Sequence, residues 1–295
     1  MKTPLLLIIF NRPEITALVF EEIRKIKPEK LFIAADGPRL NISGEVDKCA
    51  AARKIVETID WPCEVRRNFS EINLGCKKRV SSAIDWFFDQ VAEGIILEDD
   101  CLPNQSFFYF CERLLEKYRD DERIMHISGD NFLSDRIKIK DDFYFSQYPC
   151  IWGWASWRRA WKKYDLALTD FPEFKKNKIL LKNIFHRRYL KNIWLKIWQK
   201  TFENKIDTWD HQWAYAVIKN RGLCVNPRVN LVANIGFGGQ ATHTKNNSRL
   251  AGTAAELLSS VLKYPDKIAA DSLADDVFLA KSLNLNFFKK LRYYF

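Results

Sequence analysis

Two apolar runs near the start of the chain, Leu5-Leu6-Leu7-Ile8-Ile9-Phe10 and Leu31-Phe32-Ile33-Ala34-Ala35, are continuous rather than alternating. That pattern predicts strands buried on both faces of a parallel sheet. Between them, Asn11-Arg12-Pro13 supplies a helix start with proline in the first turn, and Ile15, Leu18, Val19, Ile23 and Ile26 form an apolar stripe at helical spacing. The breaker Asp36-Gly37-Pro38 closes the second run. A third strand is predicted over roughly 64–69, then a helix on Val80, Ala83, Ile84, Phe87 and Val91. Gly94-Ile95-Ile96-Leu97 forms a fourth strand that runs straight into Glu98-Asp99-Asp100. Alternating strands and helices imply right-handed crossovers and a parallel sheet. Such sheets bind ligands beyond the carboxyl ends of their strands. Asn11-Arg12, Asp36-Gly37, Asn73-Leu74-Gly75 and Asp99-Asp100 all fall just past strand ends or in connecting loops, so they should gather on one rim.

After Cys101 the pattern changes. A helix carries Phe107, Phe110, Leu114, Leu115 and Tyr118, and strands follow near 124–128 and 143–148. In the aromatic stretch Ile151-Trp152-Gly153-Trp154-Ala155-Ser156-Trp157, the tryptophans approach helical spacing, which points to core packing for at least one. Residues 175–220 read as helical, 223–232 as strand, and 234–244 as a flexible loop. No internal repeat is present.

Composition narrows the class. Of the 295 residues 47% are hydrophobic, glycine and proline are scarce at 11 and 10, and no stretch is of low complexity, so the chain reads as globular throughout. Seven cysteines without a Cys-x-x-Cys pair or zinc-ligand spacing point to a reducing, cytoplasmic compartment. The first apolar run is short, lacks a small-residue cleavage site and meets Asn11-Arg12-Pro13-Glu14 at once, so it reads as a core strand rather than a signal peptide. No run approaches the ~20 apolar residues that span a bilayer; the expectation is a soluble protein or one peripheral on the inner membrane face. A net charge of +10 calls for an anionic partner: nucleic acid, acidic lipid or a phosphate-bearing substrate. Much of the excess lies between Lys175 and Lys205 and in the ending 287–295. Either segment suits a solvated basic face as well as contact with an anionic membrane surface.

The candidate chemistry centres on Glu98-Asp99-Asp100. Three carboxylates at the end of a buried strand are costly unless a cation neutralises them, and hard oxygen ligands suit Mg²⁺ or Mn²⁺ completed by phosphate and water. An acidic turn, or a cap for a helix from Pro103-Asn104 onward, is the competing reading. The segment from Gly94 to Phe110 resembles the metal-binding strand and following helix of GT-A-fold glycosyltransferases. It is most similar to the N-acetylglucosaminyltransferase I family, which carries the Glu-Asp-Asp form of the Asp-x-Asp motif, and the likeness continues through Ile124-Met125-His126-Ile127-Ser128-Gly129-Asp130-Asn131. Thr208-Trp209-Asp210-His211-Gln212-Trp213, followed by Arg221 to Arg228, resembles the segment with that family's catalytic base. Gly236-Phe237-Gly238-Gly239-Gln240-Ala241-Thr242-His243 resembles its mobile loop over the pyrophosphate.

What the resemblance implies is an α/β GT-A fold: a Rossmann-like, mostly parallel central sheet with flanking helices and a smaller acceptor-side lobe. Residues 1–250 would form the transferase domain, with a nucleotide-binding half (1–102) and an acceptor-side half (103–250), followed by a helical, basic-aromatic tail (251–295). The implied activity is metal-dependent, inverting transfer from a nucleotide diphosphate sugar, a UDP-sugar by preference, to a hydroxyl of a glycan or lipid-linked acceptor in surface polysaccharide synthesis. Asp100 would bind Mn²⁺ or Mg²⁺, with His243 as a second ligand or phosphate donor, and Asp210 would be the base. Donor contacts would come from Arg12, Asp36 on the uracil N3–H, Asn73, Lys77, Glu98, Asp99, Trp209 and Thr242. Of Lys77, Lys78 and Arg79, a solvated helix face suits at least two. Trp152, Trp154 and Trp157 fall in the acceptor-side region. The family members are lumenal and membrane-anchored, whereas no anchor is expected here, and residues 165–205 match nothing in the family pattern. Two other readings remain. A nucleotidyltransferase making nucleotide sugars should carry a Gly-rich, Arg-containing loop after its first strand, where Asn11-Arg12-Pro13-Glu14 stands. A basic, aromatic single-strand nucleic-acid-binding protein gives no reason for three carboxylates at a strand end.

Overall fold

The computed structural model describes residues 1–133, 136–185, 187–236 and 254–282. The first half contains β1 (Leu5–Ile9), α1 (Pro13–Ile26), β2 (Lys30–Ala35), α2 (Glu45–Ile55), β3 (Glu64–Phe69), α3 (Gly75–Gln90) and β4 (Glu93–Glu98). Next come β5 (Cys101–Pro103), α4 (Gln105–Lys117), β6 (Ile124–Ser128), β7 (Phe143–Ser146), β8 (Trp154–Trp157) and α5 (Arg158–Trp161). The remainder holds α6 (Phe171–Lys176), α7 (Lys178–Ile184), α8 (Arg188–Phe202), α9 (Asp210–Lys219), β9 (Leu223–Pro227), β10 (Val232–Asn234) and α10 (Ser272–Ser282).

Eight strands join in the order β3-β2-β1-β4-β8-β6-β9-β7. Strands β1 to β4 are mutually parallel, and only β8 and β7 run against the common direction. The fold is therefore the expected α/β type, a large, mostly parallel Rossmann-like sheet with flanking helices. Period-two alternation divides β1 between two cores: Leu5, Leu7 and Ile9 pack on one face, and Leu6 and Ile8 on the other. This explains why the run had to be continuously apolar. A third cluster, built on Phe171, Phe174, Leu181, Ile184, Tyr189 and Trp198, holds α6, α7 and α8 against α9.

Several local expectations change. In α1, Leu18 is exposed, and the buried face is Thr16, Val19, Phe20 and Ile23. Thr16 fits there because its hydroxyl donates to the carbonyl of Arg12 at 2.8 Å. The tryptophan stretch is not helical. Trp154–Trp157 is strand β8, paired antiparallel with β4 and β6 and buried on both faces. The predicted strand over 223–232 divides into β9 and β10, and β10 pairs with β5 as a separate two-stranded ribbon. Neither α2 nor β5 was expected. Within the segment assigned to a tail, 254–282 packs on the main body: Leu258 N–H donates to Ser106 Oγ at 3.0 Å and Lys263 N–H to Asp142 Oδ2 at 2.7 Å. The basic-aromatic ending at 287–295 lies outside the described residues.

Helix α10 is tied to the sheet through Asp275, which is buried and accepts hydrogen bonds from Ser146 Oγ and Gln147 N–H. Burial pushes its carboxyl up to about 7 against the pull of those donors. A carboxyl whose folded value lies above its unfolded value of ~4 stabilises the fold while protonated and loses that contribution as pH rises through 7. The parent should accordingly lose roughly 2–4 kcal/mol of stability between pH 4 and 8 from this group. Asp275→Asn, measured by urea denaturation across that range, should flatten the slope and be the more stable protein at pH 8.

Candidate active site

The carboxyl ends of β1, β2 and β4 open into a cleft of about 870 Å³. Its lining includes Arg12, Asp36, Asn73, Glu98, Asp99, Asp100, Trp209 and Asp210, so eight of the residues singled out from sequence meet in one place. Lys77 is not among them; its ammonium donates to Asn204 Oδ1 at 2.9 Å. Arg79 is the member of its basic trio that turns inward, buried beside the cleft and bonded to the Asn68 carbonyl. Thr242 and His243 lie outside the described residues.

The acidic triplet divides by environment. Asp99, 3% exposed, accepts from the Phe10 N–H at 3.2 Å and pairs with the Arg12 guanidinium. The other arm of Arg12 reaches Asp100 Oδ2 at 3.0 Å. Arg12 was expected to face a nucleotide or phosphate; here it ties β1 to the end of β4. Burial, and then repulsion from Asp100 and Asp99, push the Glu98 carboxyl up to about 8. Burial also raises Asp99, to about 6, although Arg12 opposes the shift. One guanidinium thus serves two carboxylates, and Glu98 has no hydrogen-bond partner among the described residues.

The β5–β10 ribbon brings the start of the glycine-containing loop onto this cluster. Asn234 pairs with Cys101, and the Ile235 N–H donates to the Asp100 carbonyl at 2.9 Å. A Cβ placed on Gly236 would collide with Asp100 Oδ2 and lie 2.8 Å from Arg12 Nη1. Glycine is required there by close approach.

Across the cleft, Asp210 opens α9, and its carboxylate accepts from Thr208 Oγ1. Helix α9 is fixed one turn later, where the Trp213 indole donates to His126 Nδ1 at 3.1 Å and His126 Nε2 lies 2.8 Å from the Cys150 carbonyl. His126 is therefore a neutral core residue, held down to about 3 by burial. Trp209, 2% exposed, stacks on Trp154 with ring centroids 5.8 Å apart, so its body belongs to the core and only part of it reaches the cleft. Trp154 and Trp157 are core residues, whereas Trp152 lines the cleft.

Asp36 lines the cleft with its carboxylate already engaged. Gly37 N–H and Leu74 N–H donate to its Oδ1, both at 2.9 Å, and Asn73 Nδ2 and Gly75 N–H donate to its Oδ2, both at 3.1 Å. Each carboxylate oxygen has two lone pairs, so all four acceptor positions are in use. A base N–H would have to replace one of these donors. Asp36 clamps the end of β2 to the first turn of α3.

Three lining residues gave no sequence signal. Arg39 stacks over the Phe10 ring at 5.5 Å and is bound to the buried Glu45, whose carboxyl it holds below the usual range. Asp207 sits on the loop before α9. Cys76 is a thiol that burial and the carboxylates of Glu98, Asp210, Asp207 and Asp100 push up, so it stays protonated. Only tertiary structure brings these positions together.

Six carboxylates line the cleft (Asp36, Glu98, Asp99, Asp100, Asp207 and Asp210) against the three arginines Arg12, Arg39 and Arg79. A diphosphate entering alone would meet like charge, and a hard divalent cation relieves that repulsion. Among the described residues no three His, Cys, Asp or Glu side chains are grouped as a ligand set. This donor set fits Mg²⁺ or Mn²⁺ of the kind held by one or two carboxylates and completed by substrate phosphate and water, not a cation caged by protein. Asp100, with one arginine bond and a 3.6 Å contact from Cys101 Sγ, retains acceptor capacity for it.

Neither protein-family models nor curated protein sequences match this chain. Solved structures give loose likenesses. That of 4-diphosphocytidyl-2C-methyl-D-erythritol synthase from Anaerococcus prevotii has 10% identity and a TM-score of 0.35 over 60% of this chain and 78% of that one. A cytidylyltransferase from Leptospira borgpetersenii has 13% identity and a TM-score of 0.34 over 55% and 63%. UDP-glucose pyrophosphorylase complexed with UDP-glucose has 9% identity and a TM-score of 0.39 over 77% and 90%. At these scores the likenesses carry no weight on function.

If Asp36 is a clamp, Asp36→Asn should destabilise the ligand-free protein by about 2–4 kcal/mol, because either amide orientation sets an NH₂ group against N–H donors. Chemical denaturation measures this; unchanged stability would show that the four bonds are dispensable.

Proposed function

We propose that the protein is a divalent-cation-dependent, inverting glycosyltransferase that moves a sugar from a nucleotide diphosphate sugar, a UDP-sugar, to a hydroxyl of a glycan or lipid-linked acceptor. The observation that carries this reading is that Glu98-Asp99-Asp100 and Asp210, far apart in sequence, line one cleft and are close enough for the charges of Glu98 and Asp210 to repel. Inverting transfer needs two functions in one site: anchorage for a departing diphosphate, and a base for the incoming hydroxyl.

Asp100 would hold the cation, with Asp99 and Arg12 fixing its carboxylate; when bound, the cation neutralises charge building on the departing diphosphate. Asp210 accepts the proton of the acceptor hydroxyl as that oxygen attacks the anomeric carbon. Thr208 orients its carboxylate, and the Trp213–His126 pin keeps α9 from shifting. Glu98 shares the cleft with these groups and, held protonated by its surroundings near neutral pH, can donate to a sugar hydroxyl. Trp209 offers part of its ring to the donor sugar, and Trp152 stands at the rim for the acceptor. Arg12 is spent on the acidic triplet, which leaves no free arginine on the loop after β1. That argues against the nucleotidyltransferase alternative, whose phosphate loop belongs there.

Asp100→Ala should abolish Mn²⁺-dependent stabilisation by a UDP-sugar, read as loss of the rise in Tm that ligand binding causes by mass action. Asp210→Asn should keep that stabilisation while lowering transfer by a factor of 10² or more, about the contribution of a general base. Transfer at the parent rate by Asp210→Asn would remove the base assignment. Release of pyrophosphate from a nucleoside triphosphate and a sugar phosphate, with no UDP formed from a UDP-sugar, would replace the whole reading with nucleotidyl transfer.

A further inference from the structure

Helices α6, α7 and α8 form the part of the chain with the greatest charge imbalance. Residues 175–205 contain ten lysines and arginines and a single acid, Glu203. Their apolar side chains point inward: Phe174, Leu181, Ile184, Tyr189, Ile193, Trp194 and Trp198 are buried in the third core cluster. The basic side chains are left on the outside. Two ion pairs, Arg187 with Asp276 and Lys205 with Glu203, neutralise part of this surface. Lys176, Lys178, Lys182, Arg188 and Lys200 are exposed and make no ion pair among the described residues. Like charges gathered on one exposed face repel modestly in water, and an anionic surface would relieve that repulsion.

Of the apolar side chains on these helices, Ile179 departs furthest from the inside-apolar rule. Ile179 on α7 is 77% exposed, flanked by Lys178 and, one helical turn along its face, Lys182. Leu181 and Ile184 of the same helix face the core, so Ile179 points away from it. An isoleucine standing out from a ring of lysines matches a bilayer interface, where cations meet lipid phosphates and an apolar side chain enters the acyl boundary. Single-stranded nucleic acid would need a series of exposed rings for stacking, but Tyr189, Trp194 and Trp198 are buried and, of the α8 rings, Phe202 alone is exposed, at 37%.

We infer that the outer face of α6–α8, centred on Lys176, Lys178, Ile179 and Lys182, docks the protein on an anionic phospholipid bilayer. The chain runs from this surface to the cleft without interruption. Helix α8, roughly 22 Å long at 1.5 Å per residue, leads into the loop carrying Ile206, Asp207 and Thr208, all of which line the cleft. A bilayer held by α6–α8 would keep a lipid-linked substrate near that edge. Docking itself is a property of the surface and does not depend on which transfer the cleft performs.

The test is co-sedimentation of the full chain with vesicles of phosphatidylcholine alone or mixed with phosphatidylglycerol, alongside a fluorescently labelled single-stranded oligonucleotide. The parent should bind only the phosphatidylglycerol vesicles, and less as salt is raised. Lys176→Glu/Lys178→Glu/Lys182→Glu should lower partitioning by at least ~10-fold. Ile179→Ser, which leaves the net charge unaltered, should lower it several-fold, an effect that pure charge attraction would not produce. A charge-matched control, Lys2→Glu/Lys48→Glu/Lys54→Glu, should bind like the parent. Melting curves check that each variant folds, and if the triple variant does not, Ile179→Ser and the control decide. Parent-like binding by the α7 variants, equal loss in the control, or binding to the oligonucleotide but not to vesicles would each overturn the inference.

Discussion

Strand β4 lies near the middle of the sheet, between β1 and β8, and its apolar residues can be satisfied only there. The chain that leaves it is therefore delivered into a partly dehydrated crevice, and Glu98, Asp99 and Asp100 arrive with it. Desolvation penalises the adjacent carboxylates of Glu98 and Asp99. Much of the local architecture answers that penalty. Arg12 is placed by the proline-started α1 to bridge two of the acids, the Phe10 N–H turns back to Asp99, and the β5–β10 ribbon holds the next backbone carbonyl. The compensation is incomplete, since Glu98 is left without a partner among the described residues. Under the proposed function, that residual deficit is what a divalent cation would relieve.

The opposite wall obeys a different constraint. Asp210 gains its position from aromatic packing rather than charge: Trp154 and Trp161 are in ring contact with each other and each with Trp209 and Trp213, with His126 stacked on Trp154 at 5.0 Å. Such contacts add roughly 0.5–1.5 kcal/mol per pair beyond area burial. One wall is thus tuned electrostatically and the other held by dispersion and hydrogen bonds.

The legible parts of this fold were those in which local chemistry and tertiary position agree. Strands β1, β2, β3 and β6 were readable because apolar or extended runs end in breakers, and α3 because its stripe is regular. Helix α2 was not, since two of its three buried residues are Glu45 and Cys49, and Glu45 is buried only because Arg39 and Asn11 reach it. Strand β8 imitated a helix because tryptophans three residues apart suit either form when both faces are covered. At the cleft, residue types marked the acids but not their uses. Asp36 was visible as a carboxylate after a strand, yet its four donors come from backbone and side-chain groups whose directions are set only when β2 meets α3. Arg39, Cys76 and Asp207 are ordinary residues in sequence, assembled by topology alone.

The tryptophan cluster has an optical consequence. Rigid indoles held about 5–6 Å apart at fixed tilts couple their transition dipoles, and Trp209 belongs to that array while adjoining Asp210, the proposed base. The near-ultraviolet circular dichroism of this protein is thus an intrinsic gauge of how firmly Asp210 is seated. It reads that one wall without a label, a substrate or a turnover.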